Sequence, residues 1–98
     1  MMTITAIIRA QPGHADTVKR ALLAVIEGVR RDEPDTINYY VNQSVDDPNL
    51  FTTFERFRDQ AAMDRHNESA AVAKFVEVAG PVLADKVIIN TCNELAAK

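Results

Sequence analysis

The chain has 98 residues, 47% of them hydrophobic and 26% charged, with a formal net charge of −3. This is the composition of one ordinary globular domain filling residues 1–98. It excludes a basic field for nucleic acid or anionic lipid, and its apolar runs are far too short to span a bilayer. The opening MMTITAIIRA lacks the charged start and long apolar middle of a secretory leader, and the single cysteine, Cys92, has no internal partner. Together these predict a cytoplasmic protein.

Residues 2–10 alternate, with Ile4, Ala6 and Ile8 on one side and Thr3, Thr5, Ile7 and Arg9 on the other. A period of two with β-branched residues predicts a strand, and Pro12-Gly13 breaks it. From His14 to Asp32 the apolar positions Ala15, Val18, Leu22, Val25, Ile26 and Val29 recur at threes and fours. That is the stripe of an amphipathic helix. Pro34 stops it by disfavouring helical geometry at Glu33. Gly28 inside this helix costs roughly 1 kcal/mol against alanine, with nothing in the sequence to explain it.

Residues 36–44 form a second predicted strand, with Ile37, Tyr39 and Val41 on one face and Asn38, Tyr40 and Asn42 on the other. Asp46-Asp47-Pro48-Asn49 reads as a turn. Residues 50–58 return as the other arm of a hairpin, with Phe51, Thr53, Glu55 and Phe57 on one face and Leu50, Thr52, Phe54 and Arg56 on the other. Asp59 suits the N-cap of a short helix to His66, which Asn67 can end in left-handed geometry, and Ser69 suits that of a second, Ala70 to Ala79. Gly80-Pro81 closes it, and residues 86–94 supply a last strand.

The order β-α-β-β-α-β with right-handed crossovers predicts an α+β, ferredoxin-like fold: a four-stranded antiparallel sheet with its helices on one face. Large apolar residues occur on both alternations of the strands, as in Phe51 and Phe57 against Leu50 and Phe54. An uncovered face of that kind marks an interface, so the sequence predicts a two-fold homodimer with the open faces packed together.

The run Phe54-Glu55-Arg56-Phe57-Arg58-Asp59-Gln60-Ala61-Ala62, followed by His66 and Ser69, resembles the antibiotic biosynthesis monooxygenase family, as does Glu33-Pro34 before a short aromatic strand. The resemblance runs from Ile4 to about Asn90 and implies a dimeric α+β barrel. Members of the family include cofactor-free monooxygenases of quinols and polyphenols, haem-degrading enzymes and isomerases of small phosphorylated signal molecules, and many are uncharacterised. The sequence departs from the pattern in places. Phe57 stands where the monooxygenases often have tryptophan, Ala70-Ala71 follows Ser69 where many relatives have Pro-His or similar, and Asp35 replaces the usual glycine after Glu-Pro. Where the haem-degrading branch has a histidine ligand, this chain reads Val72-Ala73-Lys74-Phe75-Val76, and its first strand lacks that branch's asparagine. The resemblance therefore implies no haem and no other cofactor.

In this family the pocket lies between the sheet and its own helices. Carried over, that puts Tyr39, Thr53, Glu55, Phe57, Met63, His66 and Phe75 around it, an apolar wall with a few polar groups. Glu55 and His66 are the catalytic candidates. A carboxylate on an apolar strand face must be paired, protonated or wet, and burial would raise its pKa toward that of a useful base. The alternative is a structural ion pair, with Arg9 or a helix N-terminus. His66 can take a phenolic proton or orient a hydroxyl; alternatively its ring bonds a loop carbonyl. Tyr39, Thr53, Phe57, Met63 and Phe75 are the substrate-binding candidates, with packing as the alternative for Tyr39. His14 reads as exposed, Cys92 as inert, and Asp46-Asp47 and Asp32-Glu33 as solvated turns. Two distant histidines make no metal signature, and no glycine-rich phosphate loop or nucleophile elbow is present.

The favoured expectation is a cofactor-independent monooxygenase for a small aromatic quinol or polyphenol, with O2 as co-substrate. An isomerase of the same fold and a non-catalytic ligand-binding or stress-response module stand as alternatives.

Overall fold

The computed structural model describes all residues, Met1–Lys98. Strand β1 is Met2–Arg9, helix α1 Ala15–Asp32, β2 Thr36–Gln43, β3 Leu50–Phe57, α2 Gln60–Asn67, α3 Ala70–Ala79 and β4 Ile88–Asn93. The sheet order is β2-β3-β1-β4, every neighbouring pair antiparallel, which is the ferredoxin-like arrangement. The element order and types agree with the sequence reading, the helical second crossover being α2 and α3 followed by a 3-10 turn, Gly80–Val82. The ends are shorter than predicted. Ala10 leaves β1 to make an isolated bridge with Leu83, and β4 begins at Ile88.

Local chemistry explains the joints. Gly13, at φ +85°, makes the turn after β1 that a side chain would strain. His14, expected to be exposed, is half-buried as the N-cap of α1 and makes no side-chain capping bond. Asp59 caps α2 by accepting from the Ala62 N–H at 2.9 Å, and Ser69 caps α3 by accepting from the Val72 N–H at 3.2 Å. Asn67 ends α2 without entering left-handed geometry, since no residue other than glycine has positive φ.

The core lies between the inner sheet face and the helices. Val18, Ala21 and Leu22 of α1 pack on Ala6, Ile8 and Phe51, and a second cluster joins Ile4, Phe57, Ala62 and Met63. One expectation for β2 fails. The pairing skips Ile37, with Thr36 opposite Phe57, Asn38 opposite Arg56 and Tyr39 opposite Glu55. This bulge inserts one residue, so Ile37 does not share the inner face with Tyr39 and Val41 but lies 42% exposed. Thr36 takes the inward place.

The outer sheet face carries Ile7, Tyr40, Phe54 and Ile88, all among the exposed large hydrophobics. The ion pairs Arg9–Asp47 (2.8 Å) and Arg56–Glu94 (2.5 Å) flank them.

Gly28 is where α1 meets the start of α3. A Cβ placed on it would lie 3.0 Å from the Ala71 Cβ, closer than side chains normally pack. The helices can cross this tightly only because the residue has no side chain, which offsets its poor helix propensity. Gly28→Val is expected to lower the unfolding free energy by about 1–3 kcal/mol, seen in urea melts as an earlier midpoint with an unchanged slope.

Candidate functional site

The site grows from three positions that the fold brings together. Pro34 stops α1 at Asp32 and leaves Glu33 outside helical geometry (φ −124°, ψ 75°), so its side chain turns under the helix end. The alternation of β3 points Glu55 inward between Thr53 and Phe57, all three buried. The last turn of α2 delivers His66, which is 2% exposed.

The His66 ring lies between the two carboxylates. Nδ1 is 2.8 Å from Glu33 Oε1, and Nε2 is 3.3 Å from Glu55 Oε1. Each carboxylate is held from behind: Thr36 Oγ1 donates to Glu33 Oε1 at 2.8 Å, and Thr53 Oγ1 donates to Glu55 Oε2 at 2.7 Å. Tyr39 and Phe57 clamp the imidazole, their ring centroids 5.2 Å and 5.4 Å from its own. No buried side-chain polar atom in the protein lacks a partner, as a buried charged cluster requires.

Burial pushes the His66 pKa down, but the contact with Glu55 and the negative charges of Glu33 and Glu55 outweigh it, and the net shift is upward. Each ring nitrogen thus faces a carboxylate, an arrangement that favours the protonated ring donating on both sides. Burial drives the Tyr39 phenol far upward, and the nearby Glu55 and Glu33 charges add to the effect. Tyr39 is a donor and not a base.

A cavity of about 240 Å³ opens beside this cluster. Ile4, Ala6 and Ile8 form its floor, Leu22 and Val25 of α1 one wall, and Val72, Phe75 and Val76 of α3 another. Its polar groups are Tyr39, Thr53, Glu55, His66 and Asn67. Val76 and Ile89, 60% and 59% exposed, stand at its mouth between α3 and β4. The cavity thus gathers Glu55, His66, Tyr39, Thr53 and Phe75 of the sequence candidates. Phe57 and Met63 do not line it; both are buried in the second core cluster, Phe57 forming instead one jaw of the imidazole clamp. The Thr53 hydroxyl is committed to Glu55.

Several readings are corrected here. Glu55 does not pair with Arg9, which reaches Asp47 and Asp85 at the far end of the sheet. The His66 ring meets carboxylates and not a loop carbonyl. Glu33 is no solvated turn residue: its side chain is 12% exposed and bonded to His66. Sequence reasoning missed it because glutamate before proline reads as a helix end. The local signal was Thr36, three residues on and able to bond back to it. His66, being 33 positions away, gave none.

A sheet with its own helices over one face, and between them an apolar cavity bordered by buried acid and imidazole groups, defines a small α+β protein of the ferredoxin-like class with an internal cavity. Residues 1–78 match the family profile described as antibiotic biosynthesis monooxygenase, and the chain belongs to that family. Among solved structures it is similar to PA3566 of Pseudomonas aeruginosa, with 33% identity over 97% of this chain and 94% of that one and a TM-score of 0.87. It is also similar to SO0527 of Shewanella oneidensis, with 28% identity over 93% and 87% and a TM-score of 0.84. Rv0793 of Mycobacterium tuberculosis shares the fold at 23% identity over 98% and 96%, with a TM-score of 0.89. No curated protein matches the chain. No helix is long and apolar enough to cross a membrane.

His66 carries a raised pKa in the folded state, so its contribution to stability is complete below the ordinary imidazole value of about 6.5 and is lost as the pH rises through the folded value. The melting-temperature advantage of the wild type over His66→Gln should shrink across that window when both are melted between about pH 5 and about pH 9. An advantage that grows with pH would contradict the doubly donating imidazolium.

Proposed function

We propose that the protein is a cofactor-independent monooxygenase acting on a small, neutral aromatic of the naphthol or quinol type. The observation that carries this reading is the Glu55–His66 pair at the edge of an otherwise apolar cavity of about 240 Å³. Such a space suits a bicyclic aromatic with one or two hydroxyls, with few polar groups to fix its orientation.

Glu55, the carboxylate that borders the cavity, is the group to take the phenolic proton. His66 holds that carboxylate in place through Nε2, and the Tyr39 hydroxyl donates toward a substrate oxygen. The ring carbon of the phenolate then bonds to O2, supplying the electrons. The O–O bond breaks, one oxygen staying as a carbonyl and the other leaving as water, so that naphthol and O2 give quinone and water. The apolar walls keep bulk water from the intermediate.

The same reading includes a homodimer. Ile7, Tyr40, Phe54 and Ile88 form an uncharged centre on the open sheet face, flanked by ion pairs, and a second copy placed there would cover them. Light scattering should give twice the chain mass of 10.9 kDa, and Phe54→Arg should shift the protein to monomer.

Oxygen uptake with a panel of naphthols and quinols tests the chemistry. Glu55→Gln should lower kcat by about 100-fold or more with KM changed little, and His66→Ala should abolish uptake while the circular dichroism spectrum stays native. Turnover that needs no oxygen would point to an isomerase, and melting shifts without product to a binding module; either would replace this proposal.

A further inference from the structure

The catalytic candidates account for one side of the His66 ring. The other faces elsewhere. A second depression, about 1170 Å³, lies outside the core between α1, α2 and α3. Glu33 and Thr36 line it, as do Asp35 and Arg65. Glu33 does not line the inner cavity, and Glu55 and His66 do not line the outer groove. A continuous polar path between the two hollows therefore runs Glu33–His66–Glu55, with contacts of 2.8 and 3.3 Å.

We propose that Glu33 is the proton port of the inner cavity, letting His66 lose and regain its Nδ1 proton to water in the outer groove without passage through the cavity. The groups facing the ring are few. From β2 comes Tyr39, with Thr36 behind Glu33; from β3 come Glu55, with Thr53 behind it, and Phe57; and from the turn after α1 comes Glu33. On α2 itself the neighbouring Arg65 points away to Asp35 at 3.1 Å. Of these only Glu33 both touches Nδ1 and reaches the groove. Its negative charge also raises the His66 pKa, so removing it shifts that pKa down.

This deepens the proposed function and rests on it only for its catalytic consequence. When a proton from a bound molecule arrives on Glu55, the Nδ1 proton passes to Glu33 and on to water, and Nε2 keeps its own proton. When Glu55 gives its proton back, Glu33 returns one to Nδ1. No electron moves, the ring need not turn over, and the cluster never holds an extra charge while a ligand plugs the mouth beside Val76 and Ile89. Glu33 is thus a positioning residue that acts through His66.

The test reads protons directly and needs no substrate. In magnetisation-transfer NMR, solvent exchange of the His66 Nδ1 proton should slow about tenfold or more in Glu33→Gln, while the ring shifts set by Tyr39 and Phe57 stay native. In Glu33→Ala, added formate should restore the rate by entering from the groove. Should Glu33→Gln not fold, Glu33→Asp carries the same test: its shorter side chain should also slow exchange. A wild-type rate in Glu33→Gln or Glu33→Asp overturns the proposal. So does slow exchange in Glu33→Ala that formate leaves unchanged, which would make Glu33 merely structural. Oxygen uptake plays no part in this readout, so failure of the monooxygenase reading is separately visible.

Discussion

One imidazole between two carboxylates sets the terms for the rest of the molecule. Burying three ionisable side chains costs several kcal/mol for each uncompensated charge, and the structure meets that demand with partners on every side. Glu33, His66 and Glu55 neutralise one another in part, Thr36 and Thr53 satisfy remaining lone pairs, and two aromatic rings exclude water. Glu33, Glu55 and His66 come from three different parts of the fold. The cluster therefore ties the end of α1, the hairpin β2–β3 and helix α2 into one unit, and the cavity beside it inherits a fixed shape.

That arrangement separates two tasks along the ring. The Nε2 side faces the cavity, which Glu55 and Tyr39 both line. The Nδ1 side belongs to the α1 end, where Glu33 sets the charge of the ring. A histidine with one carboxylate would be a weaker cation and free to turn over; with a carboxylate at each nitrogen the ring is held in one orientation. Membership of the antibiotic biosynthesis monooxygenase family fits a site whose polar groups are few and pre-positioned.

Much of this was legible in the sequence because much of it is local. Caps such as Asp59 and Ser69 act on amides three residues away, and the alternation of β3 alone placed Phe51, Thr53, Glu55 and Phe57 on the covered face. The resemblance carried by residues 54–62 named the right fold. What escaped was long-range or aperiodic. The partner of Glu55 is decided by where α2 docks, not by strand phase, so Arg9 looked as plausible as His66. Gly28 made sense only once Ala71 was seen 3.0 Å from its missing Cβ. Phe57 and Met63 carry the right chemistry for a pocket wall, but α2 packs over them and seals them into the core.

The bulge at Ile37 has a reach beyond its own strand. Strict alternation from Thr36 to Tyr39 would send these two side chains to opposite faces, and either the Glu33 tether or the aromatic jaw would be lost. One surplus residue resets the phase, so both can touch the same cluster while the hairpin keeps its pairing with β3. Loss or gain of a single residue between 36 and 39 would thus disable the cluster without disturbing the sheet's outline, and this short segment should tolerate changes of side chain far better than changes of length.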